Sequence, residues 1–274
     1  MDSEGYSVLV IGAAGWDTRV VAREPEIALH QSNPAQIWGN WGGLARNIAE
    51  NLARLGSQTQ LITAVGDDDT GRQLLVYLNT LGVNTEGSLT VSNGVTGSFV
   101  ALHNVDEQLW VAFDDMQIVQ EITPGYLYRH RRFFKEIDMI CIDANLSERT
   151  LDTVFRLARQ HDVPICADPT TPLLAPRLRP FLPRLTAITP SRREAEALLQ
   201  QPLTGSEALL NGARSLVQMG VELAIITLGA EGLVYATTEE SGRLPAFEAE
   251  VVDRVGAGDA LTAAVAYGLM EGFD

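Results

Sequence analysis

Short apolar runs that alternate with amphipathic segments are the feature of this chain that most constrains its fold. Residues 7–11 have the pattern of a buried strand that ends at Gly12. Residues 44–55 carry an apolar stripe at helical spacing, and a strand-like run at 59–65 and a helix-like run at 70–81 follow. This β, α, β, α order is typical of a parallel sheet that is covered by helices.

The same alternation returns in the second half of the chain. Predicted strands cover 139–142, 164–167, 186–189, 223–228 and 233–236, and predicted helices cover 148–161, 192–199, 206–219 and 258–270. We expect the proline-rich stretch 169–183 to be a surface loop. The sequence therefore predicts one α/β domain over residues 1–274. Because a final helix with no element after it is unusual here, we expect a truncated form of a longer protein.

Two segments interrupt the alternation and are expected to lie outside the main sheet. Residues 18–23 and 36–38 are strand-like parts of an irregular stretch before Gly43. Residues 97–102 and 109–113 predict a hairpin that is joined by a polar turn. We expect this hairpin to lie beside the irregular stretch.

Composition and charge exclude several classes of protein. The net charge of −15 has the wrong sign for a nucleic-acid partner. No apolar run reaches the roughly 18 residues of a membrane span, and the acidic N-terminus does not resemble a signal peptide, so we expect a cytoplasmic protein. Cys141 and Cys166 lie inside predicted strands and are expected to be buried thiols. The four histidines lack the spacing of a zinc site.

The turn Gly256-Ala257-Gly258-Asp259 is the strongest candidate for chemistry. Small residues let the backbone approach a ligand, and the N-terminus of the following helix adds positive potential that suits a phosphoryl group. Asp259 lies in the first helical turn, where it can accept a proton from an attacking hydroxyl. A plain tight turn with a capping acid also explains so short a motif. The alanine-rich helix that follows is expected to pack closely at the centre of the fold.

A second glycine pair, Gly42-Gly43, also precedes a helix. Asn47 lies in the first turn of that helix and can donate to and accept from sugar hydroxyls, although a flexible helix entry explains the pair equally well. Asp17, which follows the first strand, can hold two vicinal hydroxyls. The glycines before it also suit a nicotinamide-dependent oxidoreductase, but no amphipathic helix begins after Gly15.

Two further motifs lie at strand ends. Ser191 and Glu194 predict a capping box at a helix start, and the alternative is that Glu194 orders water around Mg²⁺. Thr227 ends a predicted strand, and the turn that contains Gly229 and Gly232 follows it. That turn predicts either a hairpin or a nucleotide-contacting loop.

In order and spacing, these motifs resemble the ribokinase/PfkB family of carbohydrate kinases. Gly42-Gly43 with Asn47, followed by Asn51-Leu52-Ala53-Arg54-Leu55-Gly56, resembles the N-terminal signature of the family, and residues 253–259 resemble the C-terminal one. The resemblance implies a ribokinase-like αβα sandwich with a mostly parallel central sheet. It also implies a small β-sheet lid from about residues 16–41 and 95–115. Because the lids of two subunits clasp in many members, a homodimer through the lid is implied too.

The resemblance also implies an activity and a set of site residues. It implies ATP- and Mg²⁺-dependent phosphorylation of a hydroxyl on a small sugar or nucleoside, with a monovalent-cation site in many members. Asp259 would be the general base, and the amides of Gly256, Ala257 and Gly258 would form the anion hole. Implied contacts to the sugar are Asp17, Gly42, Gly43 and Asn47; implied contacts to the nucleotide are Thr227, Gly229 and Gly232; Glu194 would belong to the Mg²⁺ region.

Three segments narrow the choice of substrate. The first is Ser32-Asn33-Pro34 followed by residues 42–53, which resembles the bacterial pseudouridine kinases, and Asp114-Asp115-Met116 and Asn145-Leu146-Ser147 also resemble that group. This implies a C-nucleoside that is phosphorylated on its 5′-hydroxyl, with ribokinase, fructokinase and other nucleoside kinases as alternatives. Ser191 stands where many members have Asn, and Arg254 where Thr is common. Members of the family usually continue beyond the helix of Asp259, and that further part normally builds one wall of the adenine pocket. Because of these three departures, the rival hypothesis is a non-catalytic ligand-binding protein.

Overall fold

Many of the secondary-structure elements alternate in βα order, and strands of two smaller sheets and of one sheet edge interrupt this order. The computed structural model describes residues 5–250 and 255–273. Within these residues the strands are β1 (Ser7–Ile11), β2 (Gly15–Ala22), β3 (Ala35–Gly42), β4 (Gln58–Ile62), β5 (Ala64–Gly66), β6 (Leu89–Val91), β7 (Gly97–His103), β8 (Leu109–Asp115), β9 (Met139–Asp143), β10 (Ile165–Asp168), β11 (Ala187–Ile188), β12 (Leu223–Thr227), β13 (Leu233–Ala236) and β14 (Ser241–Leu244). The α-helices are α1 (Leu44–Arg54), α2 (Asp69–Thr80), α3 (Pro124–Arg129), α4 (Glu148–Arg159), α5 (Arg192–Leu199), α6 (Ser206–Gln218) and α7 (Ala257–Glu271).

An eight-stranded sheet in the order β14-β13-β12-β11-β10-β9-β1-β4 forms the centre of the protein. The strands from β12 to β4 pair in parallel, whereas β13 and β14 pair antiparallel at one edge. Successive side chains of a strand point to opposite faces, so Val8 and Val10 pack in one core layer and Leu9 and Ile11 in the other. The first layer lies under α1, α2 and α7, and the second under α4, α5 and α6. The predicted α/β sandwich is therefore confirmed.

A second, four-stranded sheet has the order β3-β2-β7-β8, and we call it the lid sheet. Its β2 pairs in parallel with β7, and β2 with β3 and β7 with β8 pair antiparallel. Since β2 begins at Gly15, only four residues after β1 ends at Ile11, the lid sheet starts at the carboxyl end of the main sheet. The strands that we expected outside the main sheet are thus found there, and they are longer than predicted.

Two predictions about local structure were wrong. The predicted strand 59–65 is two strands, because the chain leaves the main sheet after Ile62 and β5 then pairs with β6. The proline-rich stretch is not a surface loop, since Ala175–Arg184 forms a 3₁₀ helix. Its buried side chains recur about every third residue, which is the 3₁₀ period, and Phe181 stacks on Phe155 with ring centroids 4.7 Å apart.

The alanine-rich helix α7 lies in an outer layer, not at the centre of the fold as predicted. Thr262, Ala263 and Ala266 are buried against α1 and the sheet, whereas Ala260 and Ala264 are exposed. The small side chains allow close approach on one face only, because among the described residues no element covers the other face. The predicted strand at Val251 and Val252, like Arg254, lies outside the described residues.

Two predictions from composition can be compared with the described part of the chain. Cys141 and Cys166 are free and buried, as expected, at paired positions of β9 and β10. Within residues 5–250 and 255–273, no helix is long and apolar enough to cross a membrane.

Candidate active site

The carboxyl ends of β1, β9 and β10 meet the first turns of α1 and α7 at one edge of the main sheet. Ligands of open α/β proteins bind at this edge, because side chains and helix N-termini converge there. A cavity of about 360 Å³ opens at the edge, and we call it the acceptor cavity. Asp17, Gly43, Asn47 and Asp259 are among its lining residues, together with Asn145, so four predicted site residues share one cavity.

A hydrogen bond joins the two glycine motifs, which are far apart in the chain. Asn47 Nδ2 donates to Asp259 Oδ2 at 2.5 Å, across 212 positions of sequence. Burial raises the pKa of Asp259 to about 6, although the Asn47 hydrogen bond and the charge of Arg46 act in the opposite direction. The carboxylate is therefore mostly ionised at neutral pH and more basic than an ordinary aspartate.

The turn before α7 presents backbone amides to the same region. Gly256 has a φ of 81°, in the left-handed region, and α7 begins at Ala257. The first N–H groups of a helix have no intrahelical partner, and they carry the positive end of the helix dipole. A Cβ on Gly258 would have no atom within 4 Å, so open space lies beside this turn.

Asp17 depends on the glycine at position 42. A Cβ at Gly42 would lie 1.8 Å from Asp17 Oδ1, so only glycine leaves room for this carboxylate. Asp17 Oδ1 is buried and has no hydrogen-bond partner among the described residues. Burial raises the pKa of Asp17 to about 6, and the charge of Arg46 lowers it. A buried acceptor without a partner is suited to receive a ligand hydroxyl.

Gly43 and Arg46 connect the lid sheet to α1. Gly43 precedes α1 with a φ of 91°, and a Cβ there would lie 2.4 Å from the Cα of Ala14. The buried Arg46 guanidinium donates to the carbonyls of Trp41 and Gly42 and pairs with Glu50, which makes it an anchor for the end of β3. Arg46 was not predicted as a site residue, because helical spacing alone explains its pairing with Glu50.

Two buried acids of the site, Asp143 and Asp168, were also missed. Each is the last residue of an otherwise apolar strand, a signal that was present in the sequence. Asp143 Oδ2 accepts the N–H of Ala13 at 2.7 Å, and a Cβ at Gly12 would lie 2.2 Å from that oxygen. Burial raises the pKa of Asp143. Burial also raises the pKa of Asp168, and the nearby charge of Asp259 acts in the same direction.

Threonine hydroxyls connect Asp168 to helix α7. Thr262 Oγ1 donates to Asp168 Oδ2 at 3.1 Å and lies 2.7 Å from Thr189 Oγ1. Thr189 follows β11 and lies two residues before Ser191, which lines a different cavity. These contacts connect the first turns of α7 to the strand end that leads to Ser191.

This other cavity measures about 360 Å³, and we call it the nucleotide-side cavity. Thr227 and Ser191 line it, whereas Gly229 and Gly232 lie in the adjoining turn and are not among its lining residues. A Cβ at Gly232 would lie 2.0 Å from the carbonyl oxygen of Leu244, so the β12–β13 hairpin requires glycine there.

Glu194 lies beside this cavity, in the first turn of α5. Glu194 Oε2 accepts the N–H of Ser191 at 2.7 Å, which is the glutamate half of the predicted capping box. Its charge contributes to the raised pKa of Asp168, so the two carboxyl groups are close. In the described residues no three acidic, His or Cys side chains converge on a metal position. Mg²⁺ in phosphoryl-transfer sites typically uses one or two carboxylates, water and phosphate oxygens, and this donor set fits that requirement.

Comparisons with known proteins identify the family of this chain. The family model described as pfkB family carbohydrate kinase matches residues 7–274. The pseudouridine kinase of Escherichia coli K12 is 34% identical over 260 residues, which are 94% of this chain and 82% of that protein. The ribokinase of Bacillus subtilis 168 is 33% identical over 237 residues, covering 85% of this chain and 75% of the ribokinase.

A solved structure shows that the fold is shared. The Arabidopsis thaliana ribokinase complexed with ribose and ATP matches 98% of this chain and 88% of its own, with a TM-score of 0.84 at 21% identity. The predicted fold class and the predicted family are thus both confirmed. The chain belongs to the PfkB family of carbohydrate kinases, phosphotransferases whose acceptor is an alcohol group.

Proposed function

We propose that this chain transfers the γ-phosphoryl group of Mg²⁺-ATP to the 5′-hydroxyl of a nucleoside, and that this nucleoside is pseudouridine. The observation that carries the proposal is the Asn47–Asp259 hydrogen bond at the wall of a cavity that also holds the unpartnered Oδ1 of Asp17. The Asp259 carboxylate is thereby available to the reacting hydroxyl, and the Asp17 carboxylate is available to bind other hydroxyls of the sugar.

Asp259 is the general base of the proposed reaction. Its pKa of about 6 leaves it ionised at pH 7, yet it binds a proton more readily than an exposed aspartate does. It accepts the proton of the attacking hydroxyl while the oxygen bonds to the γ-phosphorus and the bond to the leaving ADP breaks. Asn47 donates to Oδ2 of this carboxylate and so fixes the orientation of the Asp259 side chain.

Asp17 and Asn47 bind the sugar in this proposal, next to the backbone of Gly42 and Gly43. Asp17 Oδ1 accepts from a sugar hydroxyl and thereby gains the partner that it lacks among the described residues. Gly42 is required because any side chain there would occupy the position of the Asp17 carboxylate. The sugar is thus held on the same wall as the base.

The first amides of α7 stabilise the phosphoryl group in transfer. The N–H groups of Gly256, Ala257 and Gly258 form the anion hole, and the helix dipole adds to their potential. Mg²⁺, bound with ATP, supplies neutralisation of the phosphate charge. Glu194 and Asp168 are the carboxylates that would hold its water shell. Thr227, with Gly229 and Gly232 in the adjoining turn, faces the nucleotide.

Pseudouridine is the first acceptor to test, because the E. coli pseudouridine kinase is 34% identical over almost the whole chain. The B. subtilis ribokinase is 33% identical over a shorter span, so ribose is the competing acceptor. At this identity the acceptor has to be measured.

An ATP-consumption assay with Mg²⁺ tests the proposal. The acceptors are pseudouridine, uridine, adenosine, ribose and fructose, each with and without K⁺ because a monovalent-cation requirement belongs to the hypothesis. We expect ADP formation with pseudouridine, and a loss of about 10²–10⁴-fold in turnover for Asp259→Asn. Calorimetric binding of a nucleoside without ADP formation from any acceptor would refute the kinase and favour a ligand-binding protein.

The outer face of the lid sheet supports a homodimer as part of the proposal. Ile37 and Phe113 are 66% and 63% exposed and lie on the face opposite Asp17, with Val20 and Val100 between them. An exposed apolar face of this kind is suited to pair with a second copy of the chain. Sedimentation of the wild type against Phe113→Glu measures this directly, and a monomeric wild type would contradict it.

A further inference from the structure

A smaller lobe extends the acceptor cavity along the inner face of the lid sheet. This lid lobe measures about 190 Å³ and shares Asp17, Asn47 and Phe99 with the acceptor cavity. The proposed catalytic groups therefore lie at one end of a longer, two-part space. A free pentose that is held by Asp17 fills the first part only.

Strand pairing places one set of side chains along the lid lobe. Asp17 pairs with Phe99, Arg19 pairs with Ala101, and His103 follows two residues further along β7. Alternate residues share a face, so all of these point to the same side as the Asp17 carboxylate. From Phe99 to His103 the strand rises about 13 Å, which exceeds a pentose ring and is comparable to the long dimension of a nucleoside.

His103 is a buried polar side chain without a protein partner at one nitrogen. The residue is 8% exposed and lines the lid lobe. Its Nδ1 has no hydrogen-bond partner among the described residues. An unsatisfied buried polar group destabilises a folded protein, so its presence in a ligand cavity requires an explanation.

Aromatic surfaces flank this polar group. The ring of Trp38 lies on the same face, with the Arg19 guanidinium carbon 5.3 Å from its centroid, and Phe99 lines both parts of the cavity. Aromatic and guanidinium planes are the surfaces on which heterocyclic bases stack. A planar base covers such a surface more completely than a puckered pentose ring does.

We propose that the lid lobe binds the heterocyclic base of a nucleoside, and that His103 is a specificity-determining residue that hydrogen-bonds a polar edge of that base. The inference rests on the proposed kinase function and deepens it, since it names the residue that selects the base of the acceptor. Trp38 and Phe99 provide the stacking surface, and Asp17 holds the ribose end.

Calorimetry and kinetics with pseudouridine, uridine, cytidine and ribose test this proposal on four proteins. These are the wild type, His103→Leu, His103→Gln and the control His161→Leu, which makes the same chemical change at an exposed position after α4. We expect the wild type to bind at least one nucleoside more than tenfold more tightly than ribose. His103→Leu loses about tenfold of that preference, His103→Gln recovers part of it, and His161→Leu keeps it.

Thermal unfolding separates a binding role from a structural one. Leucine has a similar volume and no unsatisfied nitrogen, so His103→Leu should unfold at the same or a higher temperature while it binds nucleosides more weakly. If His103→Leu unfolds at a lower temperature, Trp38→Ala provides the second test, because Trp38 is partly exposed and its truncation removes the stacking surface.

The outcomes separate this inference from the kinase proposal. Ribose affinity equal to that of every nucleoside, or unchanged nucleoside preference in both His103→Leu and Trp38→Ala, overturns the lid-lobe assignment even if ADP is formed. Absence of ADP with every acceptor overturns the kinase proposal. The calorimetric comparison still decides whether the lobe binds bases in that case.

Discussion

The Asp259→Asn substitution is the sharpest test of the site, because it changes charge and almost nothing else. An amide oxygen in place of Oδ2 can still accept from Asn47 Nδ2, so the contact that joins α1 to α7 is retained. The variant lacks a group that can take the proton of the acceptor hydroxyl. We expect kcat to fall by about 10²–10⁴-fold, the usual contribution of a general base.

The same substitution should stabilise the fold at neutral pH. Burial raises the pKa of Asp259 from 3.8 to about 6, a shift of roughly two units. Because the folded-state pKa is the higher one, ionisation opposes folding, and this effect grows as the pH rises from about 4 to about 6. Two units correspond to at most about 3 kcal/mol, and since the side chain is only partly buried we expect about 1–2 kcal/mol.

Urea unfolding of both proteins at pH 4.5 and pH 8 measures the stability difference, and a coupled ADP assay measures turnover. The free energy of unfolding of Asp259→Asn should exceed that of the wild type more at pH 8 than at pH 4.5. For the wild type, kcat/KM should fall as the pH drops through about 6, where Asp259 and Asp17 bind protons. Wild-type turnover in the variant would refute Asp259 as the base. A stability difference that does not change with pH would refute the inference that burial raises the pKa of Asp259 and makes its ionisation oppose folding.

Three other perturbations address neighbouring parts of the site. Gly42→Ala introduces a Cβ 1.8 Å from Asp17 Oδ1, so it should raise KM for the acceptor more than tenfold and leave KM for ATP unchanged. The control is Gly125→Ala in helix α3, which should behave as the wild type does. Arg46→Gln removes a charge that lowers the pKa of both cavity acids, so the acid limb of the pH–rate profile should move to higher pH, whereas Arg46→Lys should keep it in place. Thr227→Val should raise KM for ATP by about 2–10-fold without changing KM for the acceptor, and equal effects on both substrates would contradict its assignment to the nucleotide side.

Local patterns were sufficient for most elements of the fold. The apolar stripe of α1 and the short apolar runs of β1 and β9 were predicted within one residue, because periodicity and burial are encoded by neighbouring residues. The 3₁₀ helix Ala175–Arg184 was missed because prolines are typical of loops, although they are compatible with that conformation. Strand β14 was missed because Ser241–Leu244 has no apolar pattern and is an edge strand held by pairing with β13.

The βα order, the two glycine motifs and the family resemblance depend on spacing along the chain, so they can be read from the sequence alone. Which of those residues meet depends on tertiary packing. The bond between Asn47 and Asp259 spans 212 positions, and it forms because α1 and α7 pack side by side on one face of the sheet. Strand pairing in the lid sheet likewise brings His103 to the cavity of Asp17. Sheet order and register are set by burial over the whole chain, so no local pattern contains these contacts.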